Sequence, residues 1–182
     1  MADNPRIDDL RRRVQKDPAS IAFAQLAEEH RRAGQHAEAV EVCRAGLAIH
    51  PGYLSARVTL GRALIELGDL DAARQELQTV LGGAPENLSA IRGLAEIHHR
   101  RGDVTASLAQ YQTALSLAPN DPDLEQTVAE LSRQMEANAQ REAPVVLEPV
   151  LPNTERDRAV RTAAALEEFL AAVHAAGANR RP

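Results

Sequence analysis

The feature that most constrains this chain is a repeat of 34 residues. Four kinds of residue return at this interval: Gly34, Gly68 and Gly102; Leu26, Leu60 and Leu94; Pro51, Pro85 and Pro119; and the small residues Ala39, Ala73 and Ser107. A fixed period of about 20–50 residues is typical of arrays in which each unit packs against its neighbours. The chain is therefore predicted to contain three tandem units between residues 20 and 121.

Each unit is predicted to be a pair of helices. In the middle unit Leu60, Leu64 and Leu67 are spaced as on one helical face, and Leu70 and Leu77 belong to a second run of the same kind. Aromatic residues make up 2% of the chain and Trp is absent, whereas Ala and Leu are abundant. This composition favours closely packed helices over a β-sandwich, and the fold is predicted to be all-α.

The turn and capping residues of each unit agree with a helical hairpin. Gly68 stands where a helix C-terminus needs a positive φ, and Asp69 follows as the cap of the next helix. Asp103 takes the same place one unit later. Pro85 and Pro119 are expected to close the second helix of their units, because proline does not continue a helix.

This pattern resembles the tetratricopeptide repeat family over about residues 20–121. The resemblance is carried by the turn glycines, the small residues, the closing prolines and three residue pairs: Leu26–Ala27, Leu60–Gly61 and Leu94–Ala95. At the family's usual aromatic position of the first helix the three units hold Phe23, Arg57 and Ile91, so the second and third units depart from it. At the family's Tyr position they hold His30, Leu64 and His98. The resemblance implies a right-handed superhelical solenoid of three helical hairpins with capping helices.

The resemblance also implies a concave groove lined by the first helix of each hairpin. Its lining residues are expected to be Ala24, Glu28, Arg31, Arg32, Ser55, Val58, Arg62, Ile65, Ser89, Arg92, Glu96 and His99. The family's clamp for a C-terminal carboxylate uses Lys and Asn, and it is not matched here, since Ala24 and Glu28 stand where it would begin. A co-factor that binds chaperone tails is therefore disfavoured.

Capping helices are predicted at both ends of the array. At the N-terminus, within residues 1–19, the stripe of Ile7, Leu10 and Val14 indicates a helix over residues 5–16. The solenoid proper is assigned to residues 20–142. Its last helix is expected to begin at Pro122, and its stripe consists of Leu124, Val128, Leu131 and Met135.

The C-terminal part of the chain lies outside the repeat. Residues 143–153 are predicted to be a Pro-rich linker, and residues 154–182 an amphipathic terminal helix and tail. Thr154 is expected to cap this helix and Gly177 to end it. The residues expected to dock it on a partner surface are Val160, Leu166, Phe169, Leu170 and Val173.

Three arrangements are possible for the terminal helix. It is a loose tail, or it lies on a membrane surface, or it docks in a groove of its own or a neighbouring chain. The membrane alternative is disfavoured because the polar face mixes acids with bases. Docking is preferred, with Arg158 and Arg161 expected to face carboxylates of the repeats, namely Glu28, Glu66 or Glu96.

No residue set indicates catalysis or a cofactor. Cys43 repeats the place of Leu77 and is expected to be a buried structural thiol, and a single cysteine excludes an internal disulfide. His98 and His99 point about 100° apart on a helix, so they are not expected to share a metal ion. We expect no stoichiometric zinc, nucleotide or flavin.

Charge and hydropathy set further bounds. The net charge of −5 argues against a nucleic-acid partner, whose binding relies on neutralised phosphates. The charged N-terminus has no apolar segment of signal-peptide length, and no window approaches the roughly 20 apolar residues that span a bilayer. A soluble cytoplasmic protein is expected.

The function predicted from these patterns is a non-catalytic interaction scaffold or adaptor that presents its groove to a peptide or helix of a protein partner. The alternative is a self-associating assembly protein, a homodimer formed through the C-terminal helix, which docks on its own or a neighbour's repeats. A catalytic function is a distant third hypothesis, because no convergent acid, base or nucleophile set is visible.

Overall fold

A computed structural model describes residues 5–142 and 154–178, with side chains described at residues 5–141 and 157–172. The described residues form helices and turns without strands, so the predicted all-α class is confirmed. The helices are α1 Pro5–Lys16, α2 Ala22–Arg32, α3 His36–Ile49, α4 Leu54–Glu66, α5 Leu70–Gly83, α6 Leu88–Arg100, α7 Val104–Leu117, α8 Pro122–Glu142 and α9 Thr154–Ala178. The chain divides into two compact units, Met1–Arg141 and Glu142–Pro182. The predicted linker, residues 143–153, lies outside the described residues.

Three helical hairpins, α2–α3, α4–α5 and α6–α7, follow one another at the predicted period. The turn inside each hairpin is made by a glycine in the left-handed region, with φ of 76° at Gly34, 81° at Gly68 and 78° at Gly102. This region is costly for residues with a Cβ, which explains why glycine recurs there. The predicted turn positions are confirmed.

Side-chain caps begin the second helices of the last two hairpins. A carboxylate oxygen of Asp69 accepts the Ala72 backbone N–H at 3.2 Å, and that of Asp103 accepts the Ala106 N–H at 3.0 Å. These contacts satisfy a backbone donor that the helix itself leaves unpaired. In the first hairpin, Gln35 holds the equivalent place without capping the helix.

The largest cluster of buried apolar residues in Met1–Arg141 extends from α2 to α6, and Leu77 of α5 belongs to it. Its side chain is fully buried, and it is flanked by two glycines of neighbouring helices. A Cβ built at Gly61 of α4 or Gly93 of α6 would approach Leu77 to 2.7 or 2.6 Å. The absence of side chains at these two positions therefore lets α4 and α6 close on α5.

Both ends of the array are covered. At the N-terminal end, Ile7 and Leu10 of α1 pack with Leu26 of α2. At the other end, Leu124 of α8 packs with Ile91 and Ala114. Exposed ends of a repeat array would leave apolar surface in water, so these contacts complete the core.

The second unit contains α9, which begins at Thr154, as predicted, and runs to Ala178, one residue beyond the predicted end at Gly177. A glycine near a helix end does not by itself stop an alanine-rich helix. Val160, Leu166, Phe169 and Leu170 are exposed. The side chain of Val173, predicted to belong to the same stripe, lies outside the described residues. Across the described ranges, no helix is long and apolar enough to cross a membrane.

Candidate binding groove

The first helices of the three hairpins lie side by side, with α4 in contact with both α2 and α6. Two clefts open along this row. The first, of about 500 Å³, lies mainly between α2 and α4, and the second, of about 280 Å³, between α4 and α6. Arg62 of α4 lines both clefts. We refer to the two clefts together as the groove.

Most residues expected to line a groove lie in these clefts. The first cleft is lined by Ala24, Glu28, Arg32, Ser55, Val58 and Arg62, and the second by Arg62, Ser89, Arg92 and Glu96. His99 lies apart from them, in a smaller cleft of about 170 Å³ beside Leu131 of α8. Arg31 lines none of the three clefts, but it contacts Glu28 of the first.

The expectation that Ile65 lines the groove was wrong. Its side chain is 1% exposed and belongs to the core, where its Cδ1 would lie 3.6 Å from a Cβ at Gly93. The α4 helix has a first helix on either side, so this position is enclosed. Only the backbone carbonyl of Ile65 takes part in a surface contact, as the acceptor of an Arg100 N–H at 2.7 Å.

Sequence reasoning missed several residues that line the clefts. They are Arg6, Gln25, Glu29, Tyr53, Thr59, Leu88, Gly93 and Tyr111. The repeat could have identified Tyr111, because it holds the position of Cys43 and Leu77 in the last hairpin. The larger tyrosine side chain at this position reaches the second cleft. Arg6 comes from α1, and helix spacing within the repeats contains no information about it.

Glu28 is the most densely bonded residue of the groove. Its carboxylate accepts two hydrogen bonds from Arg31, at 2.8 and 2.9 Å, one from Arg32 at 3.0 Å and one from the Thr59 hydroxyl at 3.3 Å. The Arg31 hydrogen bonds are the main reason why the pKa of Glu28 falls to about 2, and burial opposes them. Because Thr59 belongs to α4, this carboxylate also joins the first two hairpins.

Glu28 is expected to contribute acid-dependent stability. Its folded pKa of about 2 lies below the ordinary 4.5, so the contribution is complete above pH 4.5 and is lost as the pH falls towards 2. Glu28→Gln should lower the free energy of unfolding at neutral pH by roughly 1–2 kcal/mol, and the gap to wild type should close in acid. Urea denaturation at a series of pH values measures this. Glu41→Gln, at an exposed position of α3, is the control. A gap that stays constant with pH would contradict the assignment.

The other carboxylates that line the groove are also held by arginines. Glu29 pairs with Arg6 at 3.0 Å, and Glu96 pairs with Arg100 at 2.6 Å. Arg92, which lines the second cleft, is itself paired with Asp121 at 3.1 Å.

Arg62 is different. It is exposed at the boundary of the two clefts and has no ion pair or hydrogen bond among the described residues. Among the residues that the structure describes, Arg62 is therefore an uncompensated positive charge where the two clefts meet, and the carboxylates that line both clefts are paired with arginines.

The residues considered for catalysis or metal binding lie in structural settings. Cys43 is fully buried, as predicted, its thiol lies 3.5 Å from the Ala56 carbonyl oxygen, and burial raises its pKa to about 12. A thiol with so high a pKa is a poor nucleophile at neutral pH. His98 Nδ1 lies 3.6 Å from an Asp103 carboxylate oxygen. Among the described residues, no three His, Cys, Asp or Glu side chains are arranged to hold a metal ion.

Comparison with protein families finds the tetratricopeptide repeat twice, at residues 30–82 and at residues 58–122. Among curated proteins, bacteriophage adsorption protein A of Escherichia coli (strain K12) is 30% identical over 101 residues, which are 56% of this chain. The CTR9 homolog of Arabidopsis thaliana is 37% identical over 62 residues, or 34% of this chain. The matches span only 10% and 6% of those two proteins.

Solved structures share the fold. A crystal structure of MamA matches with a TM-score of 0.64 at 17% identity, covering 71% of this chain and 77% of that chain. TTC0263, a thermophilic TPR protein of Thermus thermophilus, matches at 0.62 and 25% identity, covering 71% and 73%. The first TPR of Spaghetti (RPAP3), bound to the HSP90 peptide SRMEEVD, matches at 0.61 and 13% identity, covering 65% and 94%.

Proposed function

The chain belongs to the tetratricopeptide repeat family, and on that premise we propose that it is a non-catalytic interaction scaffold whose groove binds a peptide or helix of a protein partner. The observation that carries the proposal is Arg62, an exposed cation without a partner among the described residues, at the point where the two clefts meet. An unpaired arginine with room on both sides is suited to hold a carboxylate of a ligand.

The surroundings of Arg62 specify the ligand further. Beside it, the first cleft has Val58 and Tyr53 in its wall, and the second has Leu88 and Tyr111. A ligand that carries one acidic side chain with apolar residues before and after it would fill both clefts and neutralise the arginine. Helical ligands commonly dock in this way, with apolar anchors on one face.

The ion pairs of the groove support a non-catalytic role. A general acid or base needs a pKa near the working pH, whereas the Arg31 and Arg32 contacts hold the pKa of Glu28 at about 2. Glu96 is held by Arg100 at 2.6 Å. The Glu28 carboxylate is therefore suited to shape the groove and not to transfer protons.

The similar structures add support at the level of the fold. The first TPR of Spaghetti (RPAP3) was solved with a bound peptide, so a solenoid of this kind accommodates one. The groove of the present chain differs in charge from a site for an acidic C-terminal tail. Most of its arginines are already paired with carboxylates of residues 5–141. A single acidic anchor, and not a run of acids, fits this arrangement.

The experiment is selection from a random peptide library displayed on phage, followed by calorimetry with the selected peptides. Arg62→Glu should weaken binding by about tenfold or more, because attraction at the central position becomes repulsion. Arg74→Glu is the matched control: Arg74 is an exposed arginine on the second helix of the same hairpin and lines none of the three clefts. Selected peptides without acidic residues, or equal losses in both variants, would overturn the proposal.

A further inference from the structure

The helix α9 has an apolar stripe whose described side chains are exposed. Val160, Leu166, Phe169 and Leu170 are between 50% and 66% exposed. Soluble proteins seldom leave so many large apolar side chains together on one element unless the surface is used for binding. We therefore expect the stripe to bind a partner surface.

One edge of this stripe has a distinctive order. Val160, Ala163, Glu167 and Leu170 follow at intervals of three, four and three residues, so they lie along one side of the helix. Glu167 is thus a carboxylate with apolar residues before and after it. It makes no ion pair among the described residues. Glu168, by contrast, is turned about 100° away from this edge.

The groove has the complementary order. From α2 to α6 it presents an apolar wall at Val58, then Arg62, which has no ion pair among the described residues, and a second apolar wall at Leu88. The expected pairs of Arg158 and Arg161 with carboxylates of the repeats do not fit this surface. Those carboxylates, Glu28, Glu66 and Glu96, are already paired with arginines of their own unit.

We propose that the groove of one copy of the chain binds α9 of a second copy, with Glu167 of the second copy paired to Arg62. This rests on the proposed function and names the occupant of the same site. A helix of 25 residues is about 37 Å long. A row of three helices at an ordinary spacing of 8–10 Å is about 20 Å wide, so α9 spans it. Reciprocal exchange gives a two-fold symmetric dimer in which both grooves are occupied and the edge from Val160 to Leu170 of each α9 is buried.

Sedimentation velocity of the full chain over a wide concentration range tests the dimer. The wild type should reach twice the 19.7 kDa of one chain. Arg62→Glu and Glu167→Arg should each raise the dissociation constant of the dimer by about tenfold or more. Glu168→Arg, on a different side of α9, is the matched control and should leave the dimer intact.

Mixing the two charge reversals identifies the occupant. In an equimolar mixture of Arg62→Glu and Glu167→Arg chains, each groove again meets a helix of opposite charge, so the dimer should return. A wild type that is monomeric at all concentrations would overturn the inference. A dimer unaffected by Arg62→Glu would also overturn it and would point to pairing of one α9 with another.

Docking of α9 in its own chain is a further contradicting outcome. It would give a monomer whose α9 amides are protected in hydrogen exchange, and mixing the variants would restore nothing. If the wild type is monomeric but still binds acidic library peptides through Arg62, this inference fails while the proposed function stands. A wild type that is monomeric and does not bind acidic library peptides through Arg62 would overturn both proposals.

Discussion

Leu77→Ala is expected to lower the free energy of unfolding by about 2–5 kcal/mol. Leu77 is fully buried where α4, α5 and α6 meet, and its side chain fills the space beside Gly61 and Gly93. Since glycine has no side chain that can move into the vacated volume, the cavity stays open and the cost should lie in the upper part of this range. In an array whose units contact only their neighbours, loss of this junction also weakens the coupling of the last two hairpins.

Urea denaturation followed by circular dichroism measures the change. Leu67→Ala is the matched control, because Leu67 is 51% exposed at the end of α4, and its loss should change the free energy by less than about 0.5 kcal/mol. Similar effects at the two positions would show that Leu77 is not at the junction described here.

Alanine substitutions at two helical glycines are expected to have opposite effects. At Gly46 of α3, a Cβ would overlap the ring of Phe23, which is stacked on His50 at 6.0 Å between ring centres and contacts Tyr53 edge-on at 5.8 Å. A ring held from two sides cannot shift freely, so Gly46→Ala should destabilise by about 1–3 kcal/mol.

Gly82→Ala makes the same chemical change in a helix with open space around it. No atom lies within 4 Å of a Cβ at Gly82. Alanine restricts the unfolded chain and favours the helix, so this variant should be more stable by about 0.5–1 kcal/mol. Thermal and urea unfolding of the two variants give the comparison. Stabilisation by both substitutions would contradict the contact between Phe23 and α3.

The fold was predictable because its determinants are local. Gly68 fixes a turn through its own backbone freedom, and Asp69 caps the next helix through a contact three residues away. Such features repeat wherever the residues repeat, so a period of 34 residues located the three hairpins without any knowledge of their packing.

The groove was less predictable because equivalent positions have different neighbours. Arg31, Ile65 and His99 hold the same place in the three units. Arg31 is bonded to Glu28, Ile65 is buried in the core between neighbouring helices, and His99 lines a cleft against α8. The repeat register alone does not distinguish these three positions, so the prediction from the sequence included Ile65 in the groove.

The charge pattern of the groove also depends on contacts far apart in the sequence. Arg100 donates to the Ile65 carbonyl at 2.7 Å and lies 3.3 Å from Glu66. Only the packing of α6 beside α4 brings these groups together. Without that packing, Arg62 cannot be distinguished from the paired arginines around it.

Amide hydrogen exchange of the chain at concentrations below the dissociation constant of its dimer, with and without a library-selected acidic peptide, tests the central claim most directly. Exchange reports protection for each helix separately. Binding in the groove predicts slower exchange in α2, α4 and α6, greatest around Arg62, with little change in α3, α5 and α7. Protection concentrated on α3, α5 and α7, or the same protection in the Arg62→Glu variant, would contradict it.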